Sequence, residues 1–286
     1  MNSLVSQSHA EECPKYMGIL PDLHRLEGIR GIGMKSTREI KGILQAASIE
    51  ELPEFIREYS ADERAGVRRL VEGAIKRLAV LEREMERIET LRVYEEQYKD
   101  YDFICGIDEA GRGPLAGPVV AGAVILPKGC RILYINDSKQ LSEKKREELY
   151  DVIMEQAVSC GVGFASPERI DEINILQATY EAMREAIGKL SCKPDILLND
   201  AVTIPQVSIP QVPIVKGDAK SISIGAASII AKVTRDRMMR DYDKIFPGYD
   251  FAGNKGYGSA GHIEALRKLG PAPIHRRSFI RNFVQA

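Results

Sequence analysis

Two adjacent carboxylates, Asp108 and Glu109, follow a short apolar run in the middle of the chain. The run at 103–107 predicts a buried strand, and the apolar residues 119–126 predict a second one. Like charges at the edge of a core need a counter-charge, and a divalent cation with oxygen ligands supplies it. The pair therefore points to a metal site, although an Asp-Glu dipeptide is also common at a solvated strand end.

A glycine-rich turn follows the two acids. Gly111, Gly113 and Gly117 provide backbone freedom and open N–H groups, and Arg112 places a guanidinium beside the carboxylates. This combination suits the binding of a phosphate. The turn matches neither a Walker loop, which needs Gly-Lys-Ser/Thr, nor a dinucleotide fingerprint, because a strand rather than a helix comes next.

Two more acids end strand-like runs later in the chain. Asp200 follows the apolar residues 196–198, and Asp218 follows the run at 212–215. Acids at the ends of neighbouring strands can converge on one edge of a sheet, and four oxygen donors suit two Mg²⁺ or Mn²⁺ ions that promote phosphodiester hydrolysis. Spacing alone leaves open that Asp200 is a turn residue and that Asp218 only begins a helix.

The motifs around these acids are long and specific. The string IDEAGRGPLAGPVVAGAVILP resembles the signature of the ribonuclease HII family, the type 2 ribonucleases H. PDILLNDA and KGDAKSISIGAASIIAKVTRDR resemble the third and fourth acidic motifs of that family, and the resemblance covers roughly residues 101–283. Two departures are Asn199, where an apolar residue is more usual, and Gly225, which replaces a common alanine.

The resemblance implies a role for each matching residue. Asp108, Glu109, Asp200 and Asp218 would be the catalytic residues and would bind the metal ions, in a ribonuclease H fold. The segment NKGYG resembles the family's tyrosine motif, so that Tyr257 would pack at the junction nucleotide. Together with the turn Gly111-Arg112-Gly113, the tyrosine would sense the 2′-hydroxyl that distinguishes RNA from DNA.

Four further polar residues have weaker sequence signals. Ser138 and Lys139 fit contacts to substrate phosphates, but an Asp-Ser-Lys turn is also an ordinary start to a helix. His262 and His275 could act as general acids, yet a metal-activated water needs none, and we expect both on the surface.

The activity implied by the resemblance is hydrolysis of the RNA strand of RNA/DNA hybrids and cleavage 5′ of ribonucleotides embedded in duplex DNA. Two Mg²⁺ or Mn²⁺ ions would take part, leaving 3′-hydroxyl and 5′-phosphate ends. One alternative is a ribonuclease HIII-like hybrid nuclease, which shares the carboxylates but not the GRGPLAG loop. Another is a nucleic-acid-binding protein without catalysis, whose N-terminal helices would be the main binding module.

Composition limits the class of protein. The 286 residues carry a formal net charge of −1, so a nucleic acid must be held by a local patch or through metal ions. Residues 251–286 hold six Lys/Arg and one acid, a basic tail that could serve as that patch. The five cysteines form no C-x-x-C pair, and no apolar stretch suggests export or a membrane span. We therefore expect a cytoplasmic protein without an obligate protein partner.

The alternation of strands and helices predicts an α/β fold, with a ribonuclease H-like mixed sheet flanked by helices and preceded by a small all-α domain. We expect a disordered extension at 1–33, a helical N-terminal domain at 34–98 and the catalytic domain at 99–286. Residues 26–44 carry a weak helix-hairpin-helix pattern, and Met34 is a possible internal start. Ser60 is expected to cap a long amphipathic helix whose apolar stripe includes Val67, Val71 and Leu81.

Overall fold

The computed structural model describes residues 35–284. Its chain divides into two compact units, Met1–Arg83 and Glu84–Ala286. The expected disorder at 1–33, the alternative start at Met34 and the first part of the helix-hairpin-helix pattern, residues 26–34, lie outside the described residues. None of the helices in the described part is long and apolar enough to span a membrane.

The first unit is built from helices, as predicted. Helix α1 (Thr37–Ala46) begins with a capping box between Ser36 and Glu39, and it is followed by α2 (Leu52–Tyr59). Helix α3 (Ala65–Leu91) contains the boundary between the units. The core of the first unit consists of Ile40, Leu52, Phe55, Tyr59, Val67, Val71 and Ala74.

The prediction that Ser60 caps the long helix was wrong. Ser60 ends α2, and α3 begins at Ala65. Between them the Asp62 carboxylate accepts the backbone N–H of Arg64 at 3.0 Å and also its guanidinium. This local turn takes up the polar groups that a continuing helix would have used, so the helix starts later.

The second unit contains a five-stranded mixed sheet, which confirms the predicted fold class. The strands are β1 (Ile104–Ala110), β2 (Val119–Ile125), β3 (Ser159–Ala165), β4 (Ile196–Asp200) and β5 (Gln211–Ile214). Their order in the sheet is β3-β2-β1-β4-β5. Strand β2 runs antiparallel to both β1 and β3, whereas β4 runs parallel to both β1 and β5.

Helices cover the sheet, and small residues let them approach closely. The helices of this unit are α4 (Val93–Gln97), α5 (Glu143–Gln156), α6 (Pro167–Gly188), α7 (Ile222–Ile245), α8 (Phe251–Asn254), α9 (Ala260–Leu269) and α10 (Arg277–Ile280), with a 3-10 turn at Gly217–Ala219. Helix α7 packs so tightly on β1 that a β-carbon on Gly106 would overlap the backbone of Ser223. Since α7 also packs against the 3-10 turn and α8, it connects the sheet edge to the C-terminal loops.

Candidate active site

The parallel pairing of β1 and β4 brings two of the predicted acids to the same sheet edge. Ile107 and Asn199 are partners in the register, so Asp108 and Asp200 come next on their strands. Asp218 lies on the 3-10 turn after β5, where the neighbouring Gly217 donates its N–H to Asp200 Oδ1 at 2.7 Å. The carboxyl ends of three neighbouring strands therefore supply these acids.

Burial and mutual repulsion perturb the ionisation of this group. The pKa of Asp108, which is only 5% exposed, is raised well above its usual range by burial and by the charges of Glu109 and Asp200. Burial also raises the pKa of Glu109, although the guanidinium of Arg112 opposes the shift. The protein thus holds several carboxylates where their negative charges are unfavourable without a cation.

Asp218 and Lys139 complete this electrostatic picture. Burial, Asp137 and Asp200 raise the pKa of Asp218. Burial works against the charge on Lys139, yet Asp137 and the acids of the sheet edge raise the pKa of its ammonium above the usual value. Lys139 therefore lies within the electrostatic field of the acid cluster.

The acid cluster fits a hard divalent cation in its donor chemistry and its charge. All four predicted ligands offer carboxylate oxygens, the donors that Mg²⁺ and Mn²⁺ prefer. Within residues 35–284, however, no three His, Cys, Asp or Glu side chains are already grouped as a ligand set. Asp108 Oδ1 instead accepts the Glu109 N–H at 2.7 Å, and Glu109 Oε1 lies 3.3 Å from Arg112 Nη1. Side-chain rotation is thus needed to bring the oxygens onto one ion.

The glycine-rich turn is hydrogen-bonded to the buried guanidinium of Arg276, a role that was not predicted from the sequence. Arg276 has no exposed surface, and it donates to the carbonyls of Gly117 at 3.0 Å, Arg112 at 2.8 Å and Gly111. Burial lowers the pKa of this arginine to about 9. Arg276 was counted in the predicted basic tail, but its guanidinium binds the carbonyls of the turn and is not exposed at the surface.

A second buried arginine, Arg235 of α7, holds the other half of the same loop. It donates to the carbonyls of Pro118 at 2.9 Å, Ala116 at 3.1 Å and Lys255 at 2.9 Å. Gly111, which has a φ of 93°, leaves no room for a β-carbon beside the Arg235 side chain. The loop carbonyls therefore point inward to the arginines.

Tyr257 lies beside this turn. Its ring atom Cε1 would be 3.8 Å from a β-carbon on Gly113, and 46% of the residue is exposed. The preceding carbonyl, of Gly256, accepts the N–H groups of Leu115 at 2.8 Å and Ala116 at 3.3 Å. The structure thus joins the tyrosine segment to the glycine-rich turn through the backbone.

Ser138 has a buried environment. Only 4% of the residue is exposed, and its Oγ lies 3.0 Å from Oγ of Ser228 on α7. Its hydroxyl is thus engaged within the protein, while the neighbouring Lys139 is exposed.

The expectation that His262 and His275 lie on the surface was wrong, because they are 0% and 1% exposed. They pack with Tyr249 and Phe251, and their Nε2 atoms are 3.0 Å apart. The helical spacing of residues in the sequence could have identified His262 as a buried residue. His262 precedes the buried Leu266 by four residues and therefore lies on the same face of α9.

Comparison with known proteins identifies relatives along nearly the whole described chain. A family model described as Ribonuclease HII matches residues 105–282, and one described as Ribonuclease HII N-terminal domain matches residues 36–99. Ribonuclease HII of Lachnoclostridium phytofermentans is 69% identical over 224 residues, covering 78% of this chain and 88% of that protein. Ribonuclease HII of Clostridioides difficile is 52% identical over 252 residues, covering 87% and 99%.

Two solved structures are also similar to this chain. Ribonuclease H2 from Pyrococcus horikoshii is similar with a TM-score of 0.52 and 29% identity, covering 63% of this chain and 96% of that one. Ribonuclease HII from Archaeoglobus fulgidus, solved in a complex with PCNA, has a TM-score of 0.53 and 30% identity, covering 64% and 97%.

Proposed function

Because the chain belongs to the ribonuclease HII family of endonucleases, we propose that it hydrolyses the RNA strand of RNA/DNA hybrids and cleaves 5′ of single ribonucleotides embedded in duplex DNA. The products are 3′-hydroxyl and 5′-phosphate ends. The main structural support is the placement of the acids beside the glycine-rich turn. Asp108 and Asp200 lie on adjacent parallel strands, and the turn that follows β1 is hydrogen-bonded to the backbone of the tyrosine segment.

The metal ligands in this proposal are Asp108, Glu109, Asp200 and Asp218, and the cofactor is Mg²⁺ or Mn²⁺, two ions during catalysis. When bound, the ions activate a water for attack and stabilise the leaving oxygen of the phosphodiester. The protein's own contribution is to hold the acids in position. Pairing of β1 with β4 fixes the backbone of Asp108 and Asp200. Burial and neighbouring carboxylates raise the pKa of Asp108 and of Asp218, and a bound cation would offset the unfavourable negative charge there.

Recognition of the substrate is assigned to the turn and the tyrosine. Since the buried Arg276 binds the carbonyls of Gly111 and Arg112, the opposite side of these peptides is available to a phosphate or a 2′-hydroxyl. The Arg112 side chain is 43% exposed and can reach a phosphate. Tyr257 offers a flat ring to the sugar and a hydroxyl to the 2′-OH, the group absent from DNA.

Lys139 and Ser138 are assigned to the phosphates that flank the cut. Lys139 has the charge and the exposure for such a contact. For Ser138, whose hydroxyl is bonded to Ser228, the contact would come through the backbone. The helical N-terminal region at 34–98 is proposed to support substrate binding, with the catalytic domain at 99–286. Residues 84–98 nevertheless belong to the second compact unit.

The test is a cleavage assay on three labelled duplexes: one with a single ribonucleotide, one RNA/DNA hybrid and one of DNA only. Cleavage of the first two in Mg²⁺ or Mn²⁺, and none with a chelator, is expected. Mapping the ends of the product shows whether the cut is 5′ of the ribonucleotide. Cleavage of the hybrid without cleavage at the single ribonucleotide would overturn the finer part of the proposal.

A further inference from the structure

The peptide groups on both sides of the Tyr257 α-carbon are held in place. On one side the carbonyl of Gly256 accepts the N–H groups of Leu115 and Ala116, which belong to the glycine-rich loop. On the other side the carbonyl of Tyr257 itself lies 2.8 Å from Nδ1 of His262. The backbone position of the tyrosine therefore depends on a histidine that does not face the acids.

His262 is in turn bonded to the segment beside the loop. Its Nε2 lies 3.0 Å from Nε2 of His275. The backbone of His275 forms an isolated bridge with Ala116, and the adjacent carbonyl of Ile274 accepts the N–H of Gly117 at 2.8 Å. These bonds form a closed circuit from the glycine-rich loop through the tyrosine and the two imidazoles back to the loop.

The two imidazoles are the side-chain link in this otherwise backbone circuit. A carbonyl can only accept, so His262 carries its proton on Nδ1 and its Nε2 accepts. His275 must then donate from Nε2, which leaves its Nδ1 without a proton and agrees with the longer distance of 3.3 Å to the carbonyl of Ala272. One shared proton thus connects the two histidines, and their burial among aromatic rings favours the neutral pair.

We infer that His262 and His275 are positioning residues for ribose recognition, which fix Tyr257 against the glycine-rich turn. This inference rests on the proposed function, in which Tyr257 contacts the ribonucleotide. The hydrogen bonds of the two imidazoles join them to each other and to the carbonyls of Tyr257 and Ala272, and none of these bonds involves an acid or the Tyr257 ring. The effect of the pair on substrate must therefore pass through the backbone of Tyr257.

Two substitutions at His275 separate the shared hydrogen bond from packing. A glutamine amide nitrogen can occupy the place of imidazole Nε2 and donate to His262, whereas leucine is similar in size and cannot. His275→Leu is expected to raise KM for the single-ribonucleotide duplex by about two- to tenfold, the range for one net hydrogen bond, with little change in kcat. His275→Gln is expected to restore KM close to the wild-type value.

The deciding measurement is the effect of His275→Leu on KM in a Tyr257→Ala background. If His275 acts through the tyrosine, His275→Leu will hardly change KM once the ring is absent. An equal rise in both backgrounds, no rise in either, or no rescue by glutamine would overturn the inference.

Melting temperatures are measured for each variant. Should His275→Leu be unfolded at the assay temperature, His262→Asn takes its place, because asparagine can keep the bond to the Tyr257 carbonyl but cannot reach His275.

The two proposals fail in different ways. A wild-type protein that cuts the hybrid but not the single-ribonucleotide duplex refutes the finer part of the proposed function, and the positioning role with it. A wild-type protein that cuts this duplex, with histidine variants that behave additively with Tyr257→Ala, refutes only the positioning role.

Discussion

Replacing Arg276 by methionine should destabilise the protein far more than the same change at its neighbour. Arg276 is fully buried, and its guanidinium donates to three carbonyls of the glycine-rich turn. Methionine fills much of the same apolar space but offers no donor. The substitution would therefore leave three inward-facing carbonyls without a partner.

The size of the effect follows from these bonds. A buried polar group that loses its partner costs about 1–3 kcal/mol. The lower end of this range applies, because methionine also removes the cost of burying a charge, a cost seen in the lowered pKa of Arg276. At about 1 kcal/mol for each of three carbonyls, the free energy of unfolding should fall by about 3 kcal/mol. Arg276→Lys should lose less, about 1–2 kcal/mol, since an ammonium keeps the charge but cannot span three carbonyls.

The assay is equilibrium unfolding in urea at fixed pH, followed by circular dichroism. Arg277→Met is the matched control, because Arg277 is adjacent in the chain and exposed. If Arg276→Met and Arg277→Met unfold within about 0.5 kcal/mol of each other, the bonds from Arg276 do not hold the turn and the reasoning is wrong.

Three further predictions concern the tyrosine, the N-terminal unit and the histidine pair. Tyr257→Phe should lower kcat/KM on a single-ribonucleotide duplex by the equivalent of about 0.5–1.5 kcal/mol, for the lost hydrogen bond. Tyr257→Ala should lower it by about 1–3 kcal/mol more, for the lost stacking. Wild-type activity in the alanine variant would mean that Tyr257 only packs within its loop. Deleting residues 1–94 should weaken substrate binding or stability more than it lowers the single-turnover chemical rate, because all four acids lie after the deleted segment. This deletion should also destabilise the protein more than deletion of residues 1–83, because Ile88 and Leu91 lie in the core of the second unit. A chemical rate reduced by orders of magnitude in a folded truncation would place the helices in the active site. Burial lowers the pKa of His275 from 6.5 to about 4, so the unfolded chain binds more protons in this interval and stability should decrease as pH falls from 6.5 to 4, by up to about 3 kcal/mol. A stability curve for His275→Gln that is as steep as wild type between these pH values would contradict this assignment.

The sheet and the position of the acids could be predicted because their signals are local. Apolar runs that lead into Asp108 and Asp200 indicate strands, and the parallel pairing of these strands places the two acids side by side. Helix α1 begins at a capping box between Ser36 and Glu39, which is likewise a local signal that can be recognised from residue types alone.

The support beneath the turn could not be predicted in the same way. Arg276 and Arg235 lie more than a hundred residues from the carbonyls they bind in the glycine-rich loop, and each has a charged neighbour in sequence, Arg277 and Asp236 respectively. A charge count assigns such residues to the surface. The partnership of His262 with His275 likewise depends on how α9 packs against the C-terminal loop, which no spacing rule reveals.

Single-turnover cleavage of a duplex with one ribonucleotide, at a fixed Mg²⁺ concentration, is the most direct test of the central claim. Wild type should cut 5′ of the ribonucleotide, whereas Asp108→Asn and Asp200→Asn should be inactive although folded, because each keeps its volume and loses the charge that holds a cation. Without Mg²⁺, Asp108→Asn should melt no lower than wild type, since it removes a buried charge next to Glu109 and Asp200. Wild-type cleavage by either folded variant would contradict the assignment of the acids.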